Sequence, residues 1–344
     1  MRRVHTAETT SFPTRVLRRS RRVGLVVALL ITASCSTDAA ESQGTDPVEV
    51  TTTDGVTTSM IAPALRASEG CGTPPDVEPT DDAPGDVEMA FPFGGQDRTY
   101  RVAVPETYDR DTPTPLVMNL HGHSNTALTQ SHYTAMPAAA GERGVLVVAP
   151  DAGDRVWDYT PEGPDDDYLI ALLDDIEGRY CIDLDRVHLA GMSLGAWRSA
   201  LTGCRHPNRF ASIALVTVEV HPGCAMPVIA FHGTADETAP YGEGADPGVR
   251  VTGQLAALPG ARDNAASWAE AAGCSAPPLV EEPAEDTELR TYEDCDDGID
   301  VQLYTMVGAG HVWPGSPIEL PGAFDHVDAT ALILDFFGDH PLIR

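Results

Sequence analysis

Residues 186–201 read Arg-Val-His-Leu-Ala-Gly-Met-Ser-Leu-Gly-Ala-Trp-Arg-Ser-Ala-Leu, and this stretch decides the fold. Its first five residues are a short run typical of a buried strand, and its last six favour a helix. The turn between them has the pattern G-x-S-x-G, with Gly191 and Gly195 on either side of Ser193. A strand that turns sharply into a helix at this pattern exposes the serine at the strand end. We therefore predict that Ser193 is a nucleophile.

Short apolar runs alternate with longer helical stretches from Cys71 onward. The predicted strands are 87–93, 99–104, 115–120, 145–149, 186–190, 212–218, 227–231 and 301–306, and the predicted helices are 126–140, 166–179, 194–205, 261–273 and 327–338. The first two strands read as an antiparallel hairpin, and the later ones as parallel strands buried on both faces. The sequence predicts an α/β fold, with a single doubly wound, mostly parallel sheet of about eight strands flanked by helices.

A serine hydroxyl needs a base within hydrogen-bond reach, and in this kind of fold the acid and then the histidine follow the nucleophile along the chain. Asp236 follows the strand 227–231, and His311 follows the last strand. We predict these two residues as the acid and the base. Glu237 is the alternative acid. His232 is the alternative base, but it precedes the acid and is expected to pack beneath the site.

The reaction also needs backbone N–H groups that stabilise an oxyanion. One predicted donor is the amide of Leu194, directly after the nucleophile. The second should come from the loop after strand 115–120, where we favour the amide of His123, with Ser124 as the alternative. His121 and His123 lack a matching set of Cys or Asp ligands, and the acidic run 293–298 reads as a solvated loop rather than a calcium site. We predict no metal and no cofactor.

The N-terminal 35 residues read as an export signal, because an Arg-rich start precedes the apolar run 23–31, which is too short to span a bilayer. The run ends in Thr32-Ala33-Ser34-Cys35, which resembles a bacterial lipobox except for Thr32, where Leu is usual. Ser20-Arg21-Arg22 fits a twin-arginine signal poorly. We predict lipidation of Cys35, a disordered linker over 36–70, and a catalytic domain over 71–344 that is secreted or lipid-anchored outside the cytoplasm.

The net charge of the chain excludes one class of binding partner. The 344 residues include 22 basic and 52 acidic residues, a formal net charge of −30. All the basic residues are Arg, and residues 1–34 hold seven of them together with one Glu. The rest of the chain therefore has 15 Arg and 51 acidic residues, a formal net charge of −36. Such a surface repels phosphate backbones, which excludes a general nucleic-acid binder. The absence of Lys removes a Ser-Lys mechanism, so the base must be a histidine.

Six cysteines follow Cys35, which in an exported protein suggests three disulfides. Helix 194–205 descends about 18 Å, which matches five or six strand residues, so we pair Cys204 with Cys181 at the foot of the strand that leads to Ser193. Cys274 and Cys295 bracket an acidic excursion before the last strand and form the second pair. Cys71 with Cys224 remains by exclusion.

The chain from Cys71 onward resembles exported esterases that include poly(3-hydroxybutyrate) depolymerase-like proteins and feruloyl or acetylxylan esterases. The matching stretches are Cys71-Gly72, Leu120-His121-Gly122, Arg179-Tyr180-Cys181-Ile182-Asp183, Gly191-Met192-Ser193-Leu194-Gly195, His232-Gly233-Thr234-Ala235-Asp236 and Gly310-His311-Val312-Trp313-Pro314-Gly315. The resemblance implies an α/β-hydrolase fold and a cofactor-independent Ser-His-Asp ester hydrolase. It carries the three catalytic roles onto Ser193, Asp236 and His311.

The chain departs from the family pattern at Ala196, where a second Gly is usual, and at His123-Ser124, where a Cys or another residue often follows His-Gly. Both departures lie near the predicted oxyanion hole and bear on acyl preference. Trp313 and Trp157 either line an aromatic-accepting pocket or belong to the core, and the sequence leaves both interpretations open.

We therefore expect a monomeric serine esterase that hydrolyses feruloyl or acetyl side chains or hydroxyalkanoate oligoesters through an acyl-enzyme. One alternative is an acyltransferase with the same triad. Another is a surface binding protein that has lost catalysis.

Overall fold

The computed structural model describes residues 65–78, 85–242, 250–251, 254–255 and 259–342. The compact unit that contains them runs from Ile61 to Arg344. The predicted export signal, Cys35 and most of the predicted linker lie outside the described residues. No helix among the described residues is both long enough and apolar enough to cross a membrane.

A ten-stranded sheet runs through the middle of the fold. Its strands are β1 (Val87–Ala90), β2 (Thr99–Ala103), β3 (Thr114–Leu120), β4 (Leu146–Pro150), β5 (Ile182–Met192), β6 (Ser212–Val216), β7 (Val228–Gly233), β10 (Leu279–Ala284), β11 (Thr287–Tyr292) and β12 (Val301–Met306). Their order across the sheet is β1-β2-β4-β3-β5-β6-β7-β12-β11-β10. The six central strands are parallel to one another. An antiparallel pair flanks them on each side, so the predicted mostly parallel sheet is confirmed.

In the described part of the chain, six α-helices cover the sheet: α1 (Ala127–Thr134), α2 (Met136–Gly141), α3 (Pro164–Arg179), α4 (Leu194–Arg205), α5 (Ala261–Ala271) and α6 (Ala329–Asp339). Side chains of α3, α4 and α5 pack with one face of the sheet, and those of α1, α2 and α6 pack with the other. Alternate residues of β3 enter opposite cores, with Leu116 and Met118 on the first face and Val117 on the second. This is the α/β-hydrolase fold.

The structure differs from the sequence prediction at several elements. The predicted helix 126–140 is split in two, because Ala135 has a φ of 49° and the next helix begins at Met136 with Pro137 in its first turn. The hairpin β10–β11 was missed, because β10 is almost entirely exposed and has no apolar side to predict it. Two short strands, β8 (Arg250–Val251) and β9 (Gln254–Leu255), pair outside the main sheet.

The predicted linker ends too late in the sequence. Ala67 forms a β-bridge with Asp183, and the amide of Ser68 donates to Ile182 O at 2.9 Å. The Ser68 hydroxyl donates to Tyr180 O at 2.6 Å, and this side chain is buried. The folded domain therefore begins before Cys71, and residues 65–70 belong to it.

The disulfides correct two of the three predicted pairs. The structure joins Cys71 to Cys181 and Cys204 to Cys224, so the pairs Cys181–Cys204 and Cys71–Cys224 were wrong. The strand before Ser193 is 11 residues long, which is about 36 Å, while the 12-residue helix α4 descends only about 18 Å. Cys204 therefore stays well above the foot of β5, where Cys181 meets the N-terminal segment. The predicted Cys274–Cys295 pair is present.

Candidate active site

Ser193 sits on the turn between β5 and α4 with a φ of 56° and a ψ of −120°. This positive φ is unusual for a residue with a side chain and marks a strained turn. A Cβ at Gly191 would overlap the backbone of Gly195, and a Cβ at Gly195 would overlap the carbonyl groups of Leu120 and His121. Only glycine therefore fits on either side of the serine, and the tight turn holds Ser193 at the carboxyl end of the strand.

Asp236 and His311 are directly paired. His311 Nδ1 donates to Asp236 Oδ2 at 2.7 Å, and Asp236 Oδ1 accepts from the amides of Thr238 and Ala239, both at 2.8 Å. The carboxylate has no exposed surface, whereas 19% of the His311 side chain is exposed. Burial alone would raise the pKa of Asp236, but the hydrogen bond and charge of His311 and the two amides outweigh it and lower this pKa. The alternative acid, Glu237, is exposed.

Ser193 and the Asp236–His311 pair lie at the same edge of the sheet. Four neighbouring strands lie in the order β5, β6, β7 and β12. Ser193 follows β5, Asp236 follows β7 and His311 follows β12. The amide of Ser193 donates to Val216 O at 2.9 Å, and that of Ala235 donates to Ala309 O at 2.9 Å. Within the described part of the chain, Ser193 Oγ forms no side-chain hydrogen bond, and the hydroxyl remains partly accessible.

The loop after β3 passes beside the nucleophile. A Cβ at Gly122 would lie 3.5 Å from both Ser193 Cβ and Met192 O. Gly122 O accepts from His121 Nδ1 at 2.7 Å and from the amide of Asn125 at 3.2 Å. Because N–H and C=O point in opposite directions across a trans peptide, these two bonds also fix the direction of the His123 N–H.

Two amides remain available as oxyanion donors. Leu194 is the first residue of α4, where a backbone N–H has no partner within the helix. Among the described residues, no backbone carbonyl accepts from His123 N, whereas the Ser124 amide donates to Arg155 O at 2.9 Å. The amide of Ser124 is therefore occupied, which leaves His123 as the better donor of the two.

His121 is a residue whose role the sequence did not reveal. Its ring is buried, Nδ1 donates to Gly122 O, and Nε2 accepts from the amide of Ala152 at 3.0 Å. Burial lowers the pKa of His121, which favours the neutral ring that this hydrogen-bond pattern requires. The His-Gly sequence at the end of β3 was the available signal, but it indicated only a close backbone approach.

The two tryptophans proposed for a substrate pocket belong to the core instead. Trp157 is 0% exposed, and its indole N–H donates to His121 O at 2.8 Å. Trp313 is 1% exposed, and its indole N–H donates to Thr330 Oγ1 at 2.9 Å. Both rings support the loops that carry the candidate site, and neither presents a surface to a substrate.

No group of three or more His, Cys, Asp or Glu side chains suited to a metal ion occurs among the described residues. The chemical groups at this edge are therefore a hydroxyl, an imidazole, a buried carboxylate and free backbone amides. These are the groups that acyl transfer uses.

The sheet order, the strained serine turn and the histidine–carboxylate pair define the class as α/β-hydrolases. The family model described as Esterase matches residues 93–310, more than half of the chain. The chain therefore belongs to the esterase family, and it is a carboxylic-ester hydrolase.

Individual relatives agree with this family. A protein of Nocardia uniformis subsp. tsuyamanensis named "Putative esterase NocK" is 26% identical over 91% of this chain and 96% of its own length. Feruloyl esterase B of Piromyces equi is 26% identical over 61% of this chain, which spans 42% of that protein. The solved structure of acetyl xylan esterase from Aspergillus awamori shares the fold, with a TM-score of 0.54 and 15% identity over 73% of this chain and 99% of that chain.

Proposed function

We propose that the protein is a serine esterase that uses Ser193, His311 and Asp236 as a catalytic triad. The observation that supports this most strongly is the 2.7 Å hydrogen bond between His311 Nδ1 and Asp236 Oδ2, at the sheet edge that also carries Ser193. This bond leaves Nε2 of His311 as the base, because Nδ1 holds its proton toward the carboxylate.

In the first half-reaction, Ser193 Oγ attacks the ester carbonyl carbon while His311 Nε2 takes the hydroxyl proton. The amides of Leu194 and His123 stabilise the negative charge on the carbonyl oxygen. The intermediate then collapses, the bond to the alcohol oxygen breaks, and His311 returns its proton to the departing alcohol. The acyl group remains on Ser193 as an ester.

In the second half-reaction, His311 takes a proton from water and the resulting hydroxide attacks the acyl carbon. The bond to Ser193 Oγ breaks, His311 protonates that oxygen, and the carboxylic acid leaves. Asp236 stays ionised throughout and stabilises the imidazolium. Its lowered pKa agrees with this role.

For the substrate, we propose feruloyl or acetyl esters on plant-wall polysaccharide, with hydroxyalkanoate oligoesters as a further class. Relatives named feruloyl esterase and bifunctional acetylxylan esterase/xylanase favour the first two. A comparison of kcat/KM on methyl ferulate, acetylated xylan and 3-hydroxybutyrate oligomers measures the preference as a difference in transition-state binding.

For the location, we propose export with Cys35 as a lipidation site. Three disulfides in the folded domain are typical of proteins in an oxidising compartment. The test is to express the full chain and its Cys35→Ser variant in a bacterial host with a lipoprotein pathway, and to compare how much of each protein is in the membrane fraction. We expect the parent in the membrane fraction and the variant in the soluble fraction, and equal partitioning would contradict the anchor.

The triad is tested with Ser193→Ala. Turnover of a p-nitrophenyl ester should fall by about four orders of magnitude or more, and labelling by a fluorophosphonate should disappear while the circular dichroism spectrum stays unchanged. Ser267→Ala on helix α5 is the matched control and should retain both properties. Activity or labelling that survives in Ser193→Ala would remove Ser193 from its role.

A further inference from the structure

A buried charged pair lies directly beneath Asp236. His232, at the end of β7, is 3% exposed, and Glu219, in the loop after β6, is 2% exposed. His232 Nδ1 lies 2.9 Å from Glu219 Oε2, and Nε2 lies 2.7 Å from Ala239 O. Nε2 is also 3.6 Å from Asp236 Oδ2, the oxygen that binds His311.

The partners of this ring determine its protonation state. A backbone carbonyl only accepts hydrogen bonds, so Nε2 carries a proton toward Ala239 O. An ionised carboxylate also only accepts, so Nδ1 carries a proton toward Glu219. A ring with protons on both nitrogens is an imidazolium, and it lies between two carboxylates.

The charged and polar groups around His232 also favour the imidazolium. Burial alone would lower the pKa of His232, but the charge and hydrogen bond of Glu219, the carbonyl of Ala239 and the charge of Asp236 outweigh burial and raise this pKa to about 9. Two neutral groups face the ring: Tyr241, whose ring centre is 5.4 Å away, and Thr305, its register partner on β12. The guanidinium of Arg262 lies beyond Tyr241, 5.9 Å from that ring. A proton therefore remains on both nitrogens at neutral pH.

The same ring holds the turn that carries the acid. Ala239 O accepts from His232 Nε2, and the amide of Ala239 donates to Asp236 Oδ1. His232 thus anchors Ala239, the last residue of the turn 236–239, and the amide of Ala239 fixes Asp236 Oδ1. The other carboxylate oxygen, Oδ2, binds His311. Trp268 on α5 holds the loop of Glu219 in place, since its indole N–H donates to Glu219 O at 3.1 Å.

We propose that His232 is a positioning residue of the esterase reaction, a buried imidazolium balanced by Glu219 that fixes Asp236 and offsets part of its negative charge. The inference rests on the proposed triad, because it assigns His232 an effect on His311 through Asp236. A cation beside Asp236 weakens the attraction of that carboxylate for a proton on His311. His311 therefore becomes a free base at a lower pH than an isolated His–Asp pair would allow.

The experiment compares the kcat/KM pH profiles of the parent, His232→Gln and Glu219→Gln. Both substitutions remove the cation near Asp236, the first directly and the second because the ring loses its counter-ion. The acidic limb should move to higher pH by about 0.5–1 unit, so that kcat/KM at the foot of the limb falls three- to tenfold more than on the alkaline plateau. His188→Gln is the matched control, since His188 is a buried strand histidine whose ring contacts the Ser212 hydroxyl and has no carboxylate partner among the described residues.

The second measurement does not depend on activity. Nitrogen-15 NMR of Ser193→Ala at pH 7.5 should show a histidine with both ring nitrogens protonated that is lost in the Ser193→Ala/His232→Gln double variant. His340, which lies between Phe336 O and Asp300 and whose pKa is also raised, should give a second such signal that both proteins retain. A neutral ring for His232 in this spectrum would overturn the proposal, as would an acidic limb that stays in place in folded His232→Gln and Glu219→Gln. If His232→Gln does not fold, Glu219→Gln decides alone, through its acidic limb and through the loss of the same NMR signal in Ser193→Ala/Glu219→Gln. Failure of Ser193 labelling would instead overturn the triad and leave the NMR result intact.

Discussion

His311 Nδ1 lies 2.7 Å from Asp236 Oδ2, while Ser193 Oγ, within the described residues, has no side-chain hydrogen bond. The acid–base half of the site is therefore assembled before any substrate arrives, because three donors fix the carboxylate. Catalytic hydrogen bonds are often long in a free enzyme and tighten when substrate binds. We infer that binding completes the contact between Ser193 and His311.

The first prediction concerns the acid. Asp236→Asn keeps the shape of the side chain but removes the charge that holds His311 in the required tautomer, so kcat should fall by about 10⁴-fold with little change in KM. Glu237→Gln is the control, because Glu237 is exposed and next in sequence, and it should retain parental activity. The measurement is steady-state hydrolysis of a p-nitrophenyl ester. Loss in Glu237→Gln with activity kept in Asp236→Asn would exchange the two roles.

The second prediction concerns the oxyanion hole. The backbone amide of His123, and not its side chain, is the proposed donor. His123→Ala keeps the N–H and should retain most activity, whereas His123→Pro lacks the N–H and should lose about 10²–10³ in kcat. Both variants should be labelled at Ser193 by a fluorophosphonate, more slowly for the proline variant. Equal activity of the two variants would assign the second donor elsewhere.

The third prediction concerns the disulfides. The Cys71–Cys181 bond closes a loop of 110 residues and the Cys204–Cys224 bond one of 20. On chain entropy, removing the first should lower the free energy of unfolding by about 5 kcal/mol and removing the second by about 3 kcal/mol. Paired Cys→Ser variants unfolded in urea give the comparison. Peptide mapping without reduction provides the check, since fragments that join Cys181 to Cys204 would contradict both bonds.

The sequence predicted the central strands that carry the candidate site better than the strands at the edge of the sheet. Apolar runs that end in Gly-rich turns mark β5, β7 and β12, and the order of Ser193, Asp236 and His311 along the chain follows from them. These strands lie in the middle of the sheet, where burial on both faces leaves a continuous apolar signal. The edge hairpin β10–β11 is largely exposed, so it gave no such signal.

The errors have physical causes as well. The Cys181–Cys204 pairing assumed a strand of five or six residues, but only the second half of β5 is apolar enough to be recognised, and the strand starts at Ile182. The tryptophans were ambiguous because an indole that hydrogen-bonds a loop carbonyl or a helix hydroxyl within the core has the same sequence context as one that lines a pocket. Glu219 had no signal at all, because its contact with His232 joins the loop after β6 to the end of β7, and only the folded sheet determines their separation.

The last prediction is a pH dependence of stability. The folded-state pKa of His232 is raised from 6.5 to about 9, so its contribution to stability is fully present below pH 6.5 and is lost as the pH rises through 9. The loss across this window amounts to at most about 3 kcal/mol. The parent should therefore lose more of its free energy of unfolding between pH 6 and pH 9.5 than the Glu219→Gln/His232→Gln double variant. Urea unfolding of both proteins at the two pH values measures the difference. Parallel pH profiles would mean that His232 binds no extra proton in the folded state.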